Sequence, residues 1–184
     1  SEWVVNNAIR TQLVVGAGFL GGAAWGVIPG ILKARFGVNE IIATLMLNFI
    51  ALAWIQYWVF GPWTEGGFQL TEQFPVEAWL PRLDDLADAY PAFSGLTVHG
   101  GFVVALVAAV VVWLIVERSA WGYEIRLIGD NPRAAKYAGV RIARNILLVF
   151  AVSGGLAGIA GMAEVTGVVH RLQDNFSPGY GFTA

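Results

Sequence analysis

Residues 41–64, IIATLMLNFIALAWIQYWVFGPWT, run for 24 positions without a charged side chain. A helix rises about 1.5 Å per residue, so roughly 20 residues cross the ~30 Å hydrocarbon core of a bilayer. Three further runs share the property. Thr11 to Leu32 is 22 residues long, Asn145 to Ala163 is 19, and Ala89 to Val116 is 28, with its dense apolar part beginning near Gly101. Four crossings are therefore expected, near residues 13–32, 41–61, 99–116 and 146–166. They make residues 1–184 part of a single all-α, polytopic transmembrane bundle. A secretory signal peptide does not account for the first run, because no basic region precedes it and three more spans follow. Four successive runs of this length also argue against buried helices of a water-soluble domain.

Composition points the same way. The 184 residues are 57% hydrophobic and 13% charged, with mean hydropathy +0.62; a soluble domain carries about 25% charge. The 23 glycines suit membrane helices, where small residues let backbones approach closely, and the 8 tryptophans suit the membrane interface. A net charge of −2 gives nucleic-acid binding no electrostatic support. The absence of cysteine excludes disulfides, thiolate metal sites and cysteine nucleophiles. Two histidines, His99 and His170, are too few for a histidine-rich metal site. The spans offer no His–carboxylate cluster or activated nucleophile, so no enzyme, catalytic residue, metal or cofactor is expected.

Charge sets the expected topology. Lys33 and Arg35 lie between the first two spans, and Arg118, Arg126, Arg133, Lys136, Arg141 and Arg144 between the last two. These loops hold eight of the eleven basic residues. Gly61 to Gly100 has only Arg82 against Glu65, Glu72, Glu77, Asp84, Asp85 and Asp88. Basic loops stay in the cytoplasm, so 117–145 reads as a cytoplasmic loop, 62–98 as an outer loop, and both ends as outside. Trp54, Trp58 and Trp63 then mark an aromatic belt at the outer end of the second span. Pro75, Pro81 and Pro91 break the outer segment. Leu83, Leu86, Ala87 and Tyr90 would line a short surface helix, within what otherwise reads as a solvated or interfacial loop.

Glycine spacing adds two readings. Gly16-Ala-Gly18-Phe-Leu-Gly21 has the outline of a dinucleotide fingerprint, but the supposed helix continues through Gly22, Gly26, Pro29 and Gly30 without a charged face, and no second strand follows. The motif belongs to a glycine-rich membrane helix. Gly22-xxx-Gly26-xxx-Gly30 in the first span and Gly154-xxx-Gly158, with Gly161 beyond, form a faint repeat in spans of opposite direction. That is the pattern of an inverted-repeat transporter or, more plainly, of helix packing.

In the cytoplasmic loop, Asp130 or Asn131 would cap a short helix, Arg133 to Ala138, with Pro132 in its first turn and Gly139 closing it. Its small residues, Ala134 and Ala135, suit docking into a groove of a soluble partner; an ordinary amphipathic connector has the same pattern. Residues 122–140, GYEIRLIGDNPRAAKYAGV, strongly resemble the cytoplasmic coupling segment of permeases in ATP-binding-cassette importers for simple sugars and nucleosides. Residues 25–48, WGVIPGILKARFGVNEIIATLMLN, resemble the nucleoside-type branch, and SGGLAGIAG at 153–161 and GYGF at 179–182 also match. The likeness covers nearly the whole chain and is weakest in the outer loop. Members of this family extend beyond both ends, so an internal stretch of a longer permease is expected.

The resemblance implies that Gly129, Asn131, Ala134, Ala135 and Gly139 shape a coupling helix that contacts an ATP-hydrolysing subunit. Closure of that subunit on ATP would switch the permease between outward- and inward-open states. The chain lacks G-x-x-x-x-G-K-[ST], so ATP would be bound by the partner. The resemblance also implies a second permease subunit (identical or related), an extracytoplasmic substrate-binding protein or lipoprotein, and residence in the cell membrane. Nucleoside and sugar both remain open as substrate.

Candidates for the substrate pathway are Asn48, Thr44 and Glu164, because polar groups inside spans are costly unless paired or facing water. Interhelical hydrogen bonding would equally explain Asn48 and Thr44, and an interfacial position Glu164. Trp54 and Tyr57 would stack on a nucleobase or anchor the interface. A secondary transporter or channel is the competing function. It needs a coupling-ion site, and apart from Glu164 the span interiors lack acids.

Overall fold

The structure is a computed structural model that describes residues 2–64, 71–76, 79–80 and 100–173. The surface helix expected at Leu83, Leu86, Ala87 and Tyr90 and the motif at 179–182 lie outside the described residues. Six α-helices are present among the described residues: α1 (Glu2–Phe36), α2 (Glu40–Phe60), α3 (Gly101–Arg118), α4 (Ala120–Asp130), α5 (Pro132–Tyr137) and α6 (Ile142–Glu164). A π-helical turn, Val165–Val169, continues α6. Four stretches, Gln12–Phe36, Glu40–Phe60, Gly101–Arg118 and Ile142–Val169, are long and apolar enough to cross a membrane, and no strand occurs among the described residues. The fold is the expected all-α transmembrane bundle.

Two helix bounds differ from the sequence reading for local reasons. The first helix runs on to Phe36 because its stop signal is Gly37, at φ +66, whose N–H donates to the Lys33 carbonyl at 3.1 Å. An L-residue there would cost about 1–2 kcal/mol. Asn39 then starts α2 by accepting the Ile41 N–H at 2.9 Å, and Lys33 pairs with Glu40 across the corner. The last long helix begins at Ile142, below its charge-free run, because Asn145 is buried in its first turns while Arg141 and Arg144 point outward.

The chain divides into two compact units. One joins Phe19–Thr44 to Phe102–Gly158. Within it, Gly22 of α1 packs on Gly154 and Gly158 of α6, Gly26 on Phe150 and Gly154, and Gly30 on Leu147 and Phe150. The numbering falls on one helix as it rises on the other, so the two run antiparallel. A Cβ at Gly26 would stand 2.5 Å from the Phe150 carbonyl oxygen, and one at Gly154 would stand 2.9 Å from the Gly26 Cα. Backbone meets backbone at these positions, and no side chain fits. Of the glycine repeat, Gly22 and Gly26 face Gly154 and Gly158, whereas Gly30 meets side chains and Gly161 has nothing within 4 Å of a Cβ.

The other unit joins Ser1–Gly18, Leu45–Gly101 and Ile159–Ala184. Here the π-turn shifts the His170 N–H back to the Val165 carbonyl, at 2.7 Å, and so leaves the Thr166 carbonyl to accept the Leu80 N–H at 3.1 Å. Phe74 donates to the His170 carbonyl at 2.9 Å and Thr71 to that of Leu172 at 2.8 Å, while the Trp79 indole stacks on the His170 ring at 3.8 Å. The described part of the segment between α2 and α3 is thus bonded to the end of α6 and its π-turn rather than freely solvated. On α2, Trp58 makes ring contacts with Trp54 at 6.0 Å, Tyr57 at 5.6 Å and Trp63 at 4.9 Å, a continuous aromatic cluster.

Candidate functional site

The loop between α3 and α6 is built from five local devices. Ser119 breaks the helix with an extended backbone (φ −97°, ψ 156°), and its hydroxyl accepts the Gly122 N–H at 3.0 Å while donating to the Ile115 carbonyl. Gly122 lets α4 fold back on the end of α3, since a Cβ there would lie 2.5 Å from the Ile115 carbonyl oxygen. Asn131 serves two helices at once. Its N–H donates to the Leu127 carbonyl at 3.0 Å to close α4, and its side-chain oxygen accepts the Arg133 and Ala134 N–H groups at 3.0 and 3.1 Å to open α5. Such a cap contributes about 1 kcal/mol.

Pro132 occupies the first turn of α5, where its missing N–H costs nothing. Gly139, at φ +80, ends that helix: its N–H returns to Lys136 at 3.1 Å and that of Val140 to Ala135 at 3.0 Å. Those two bonds make a Schellman cap. A six-residue helix is marginal alone, and capping at both ends is what defines this one.

The five residues expected to shape this helix are brought together, but they do different things. Asn131 and Gly139 are its caps. Gly129 lies exposed in the last turn of α4, with nothing within 4 Å of a Cβ placed there. Ala134 faces outward, whereas Ala135 is wholly buried. Beside Ala134, Tyr137 is 95% exposed, with Arg133 and Lys136 also on the surface.

Between α4 and α6 lies a polar cluster that the sequence reading missed. Trp121 of α4 donates its indole N–H to the Asn145 side-chain oxygen at 2.7 Å, and the Asn145 amide donates to Glu124 at 2.8 Å and to the Arg141 carbonyl at 3.4 Å. Asn145 is 3% exposed. The signal was faint but present. A buried indole needs an acceptor, and an asparagine at the edge of an apolar run needs partners. Nothing local says that the two satisfy each other across 24 residues. A cavity of about 190 Å³ walled by Ile125, Ile128 and Val149 adjoins the cluster.

The three expected pathway residues are not brought together by any observed contact. The Thr44 hydroxyl bonds two carbonyls of its own helix, Glu40 at 2.8 Å and Ile41 at 3.1 Å. Asn48, half-buried on α2, and Glu164, half-buried at the end of α6, have no side-chain partner among the described residues. No group of three or more potential metal ligands occurs among the described residues.

The model of the branched-chain amino acid transport system / permease component family matches residues 2–184. The chain belongs to this family. Among similar relatives of the permease, the glucose ABC transporter permease protein TsgB13 of Haloferax volcanii is 36% identical over 91% of the chain and 45% of the relative. The guanosine ABC transporter permease protein NupP of Bacillus subtilis is 41% identical over 79% and 40%, respectively. The nucleoside ABC transporter permease protein NupB of Lactococcus lactis is 32% identical over 89% and 45%. The chain thus spans less than half the length of these relatives. No solved structure matches this permease. Family membership and four apolar helices together make it a multi-pass membrane protein.

Proposed function

We propose that this chain is part of the membrane-spanning subunit of an ATP-driven importer that moves a nucleoside or simple sugar across the cell membrane. Loop 117–145 docks a separate ATP-binding-cassette ATPase, which binds and hydrolyses the ATP, so the chain itself is no enzyme. A second permease subunit and an extracytoplasmic substrate-binding protein complete the assembly. The observation that carries this reading is the doubly capped α5, which presents Ala134 and Tyr137 outward on a basic surface. A rigid short helix with a bare aromatic and a small neighbour suits insertion into a groove on a soluble partner. The relatives' names support the substrate class, since they specify glucose, guanosine and nucleoside.

Purification of the full-length protein in detergent tests the reading. An ATP-binding-cassette ATPase should co-purify, and Ala134→Glu should release it while leaving the permease folded. Ala134 is the better probe than Ala135, whose buried side chain would disturb the loop itself. A preparation without any ATPase that still takes up substrate on an ion gradient would replace this reading with a secondary transporter.

A further inference from the structure

We propose that the Trp121–Asn145–Glu124 cluster is the positioning element through which movement of α4 and α5 reaches α6. The proposal rests on the docking role of α5 given above. Each link of the path is visible in one compact unit. Asn131 closes α4 and opens α5 with the same residue, so a push on α5 moves both short helices together. From α4, the Trp121 indole and the Glu124 carboxylate reach the single side chain of Asn145, at 2.7 and 2.8 Å. Asn145 lies near the start of α6, and nine residues further on the helix is locked to α1 where Gly154 meets Gly22 and Gly26. A displacement at one end of α6 therefore acts against a fixed contact higher up.

Packing alone would not explain the choice of residues. A leucine at 145 would bury itself without needing three hydrogen bonds, whereas Asn145, 3% exposed, is costly unless all its partners stay in place. The adjoining pocket of about 190 Å³ is open and is lined by Lys33 and Glu40 as well as by apolar residues of α4 and α6. The directional bonds then set the relation between the two helices. A hydrogen-bonded cluster holds direction as well as distance, which an apolar contact does not.

The test uses the full-length permease with its ATPase in proteoliposomes, measuring labelled guanosine or glucose (whichever the wild type takes up) moved per ATP hydrolysed. Asn145→Asp keeps the acceptor for Trp121 but sets a carboxylate against Glu124, and should lower the ratio about tenfold with the ATPase still bound. Adding Glu124→Gln exchanges amide and carboxylate across the bond, keeps net charge, and should restore the ratio to within about twofold. A merely structural asparagine would not give this rescue at constant melting temperature. Trp121→Phe deletes one donor and keeps the ring's packing, so it carries the test should Asn145→Asp fail to fold. A full ratio in Trp121→Phe, or no rescue by the exchange in a folded protein, would overturn the proposal. Wild-type protein that couples normally beside unaffected variants removes only this inference; wild-type protein that binds no ATPase removes the docking role as well.

Discussion

Two pairs of helices with similar charge-free runs use their surfaces in opposite ways. Along the seam of α1 and α6, backbones come together so closely that no Cβ fits at Gly22, Gly26 or Gly154. On α2 and α3 the large side chains turn outward: Phe49, Tyr57, Phe102, Val107 and Val110 are each more than half exposed. Hydrophobicity does not distinguish these pairs, and in a bilayer it could not. Lipid tails are as apolar as leucine, so burying leucine against a neighbour gains little, whereas close backbone approach gains dispersion contacts that lipid cannot match. Gly22, Gly26 and Gly154 mark where the two helices meet, while open glycines such as Gly21 do not; bulk marks what is left for lipid or for other helices. The exposed apolar faces would be a liability in water, and within a membrane they are ordinary.

The largest effect expected from this contrast is at the seam. Gly154→Leu should drive a side chain into the Gly22 carbonyl and the Gly26 Cα, at a cost at or above about 3 kcal/mol, and folded protein should vanish from the monodisperse peak in detergent. Normal yield would show that the two helices do not need this contact.

Asn48→Leu comes next. It sits on outward-turning α2 without a partner among the described residues, so the permease should fold normally while uptake falls about tenfold, near 1.4 kcal/mol. Wild-type uptake at equal protein level would return Asn48 to a packing role. In the loop between α3 and α6, Asn131→Ala should remove the N-terminal cap of α5 and cost about 1 kcal/mol, read as a lower thermal midpoint of the purified protein.

The smallest effects should come from open positions. Gly21 has nothing within 4 Å of a Cβ, and Val110 is 55% exposed. Gly21→Ala and Val110→Leu should each move stability by less than about 0.5 kcal/mol. A large loss at Gly21, one residue from the seam, would mean that the register drawn between α1 and α6 is wrong.

Much of the loop was legible before any coordinates. Pro132, Asn131 and Gly139 carry their meaning locally, because a cap is a relation among residues within about one turn, and the short helix has those caps. Asp130 was an equal candidate for the cap, and only the hydrogen bonds chose Asn131. The roles of Ala134 and Ala135 could not be told apart either. Both are small and adjacent, and which one is covered depends on how the loop lies against the rest of its unit.

What the sequence by itself determined is the number of spans, their helical character and the grouping of basic residues into two loops. These follow from run length and charge, which are properties of consecutive residues. Only the tertiary structure decided which glycines oppose each other, that Leu80 bonds to the Thr166 carbonyl freed at a π-turn, and that Trp121 and Glu124 share Asn145. Each of those is a pairing between distant stretches, set by helix direction, register and the need of every buried polar group for a partner. No periodicity within one stretch encodes it.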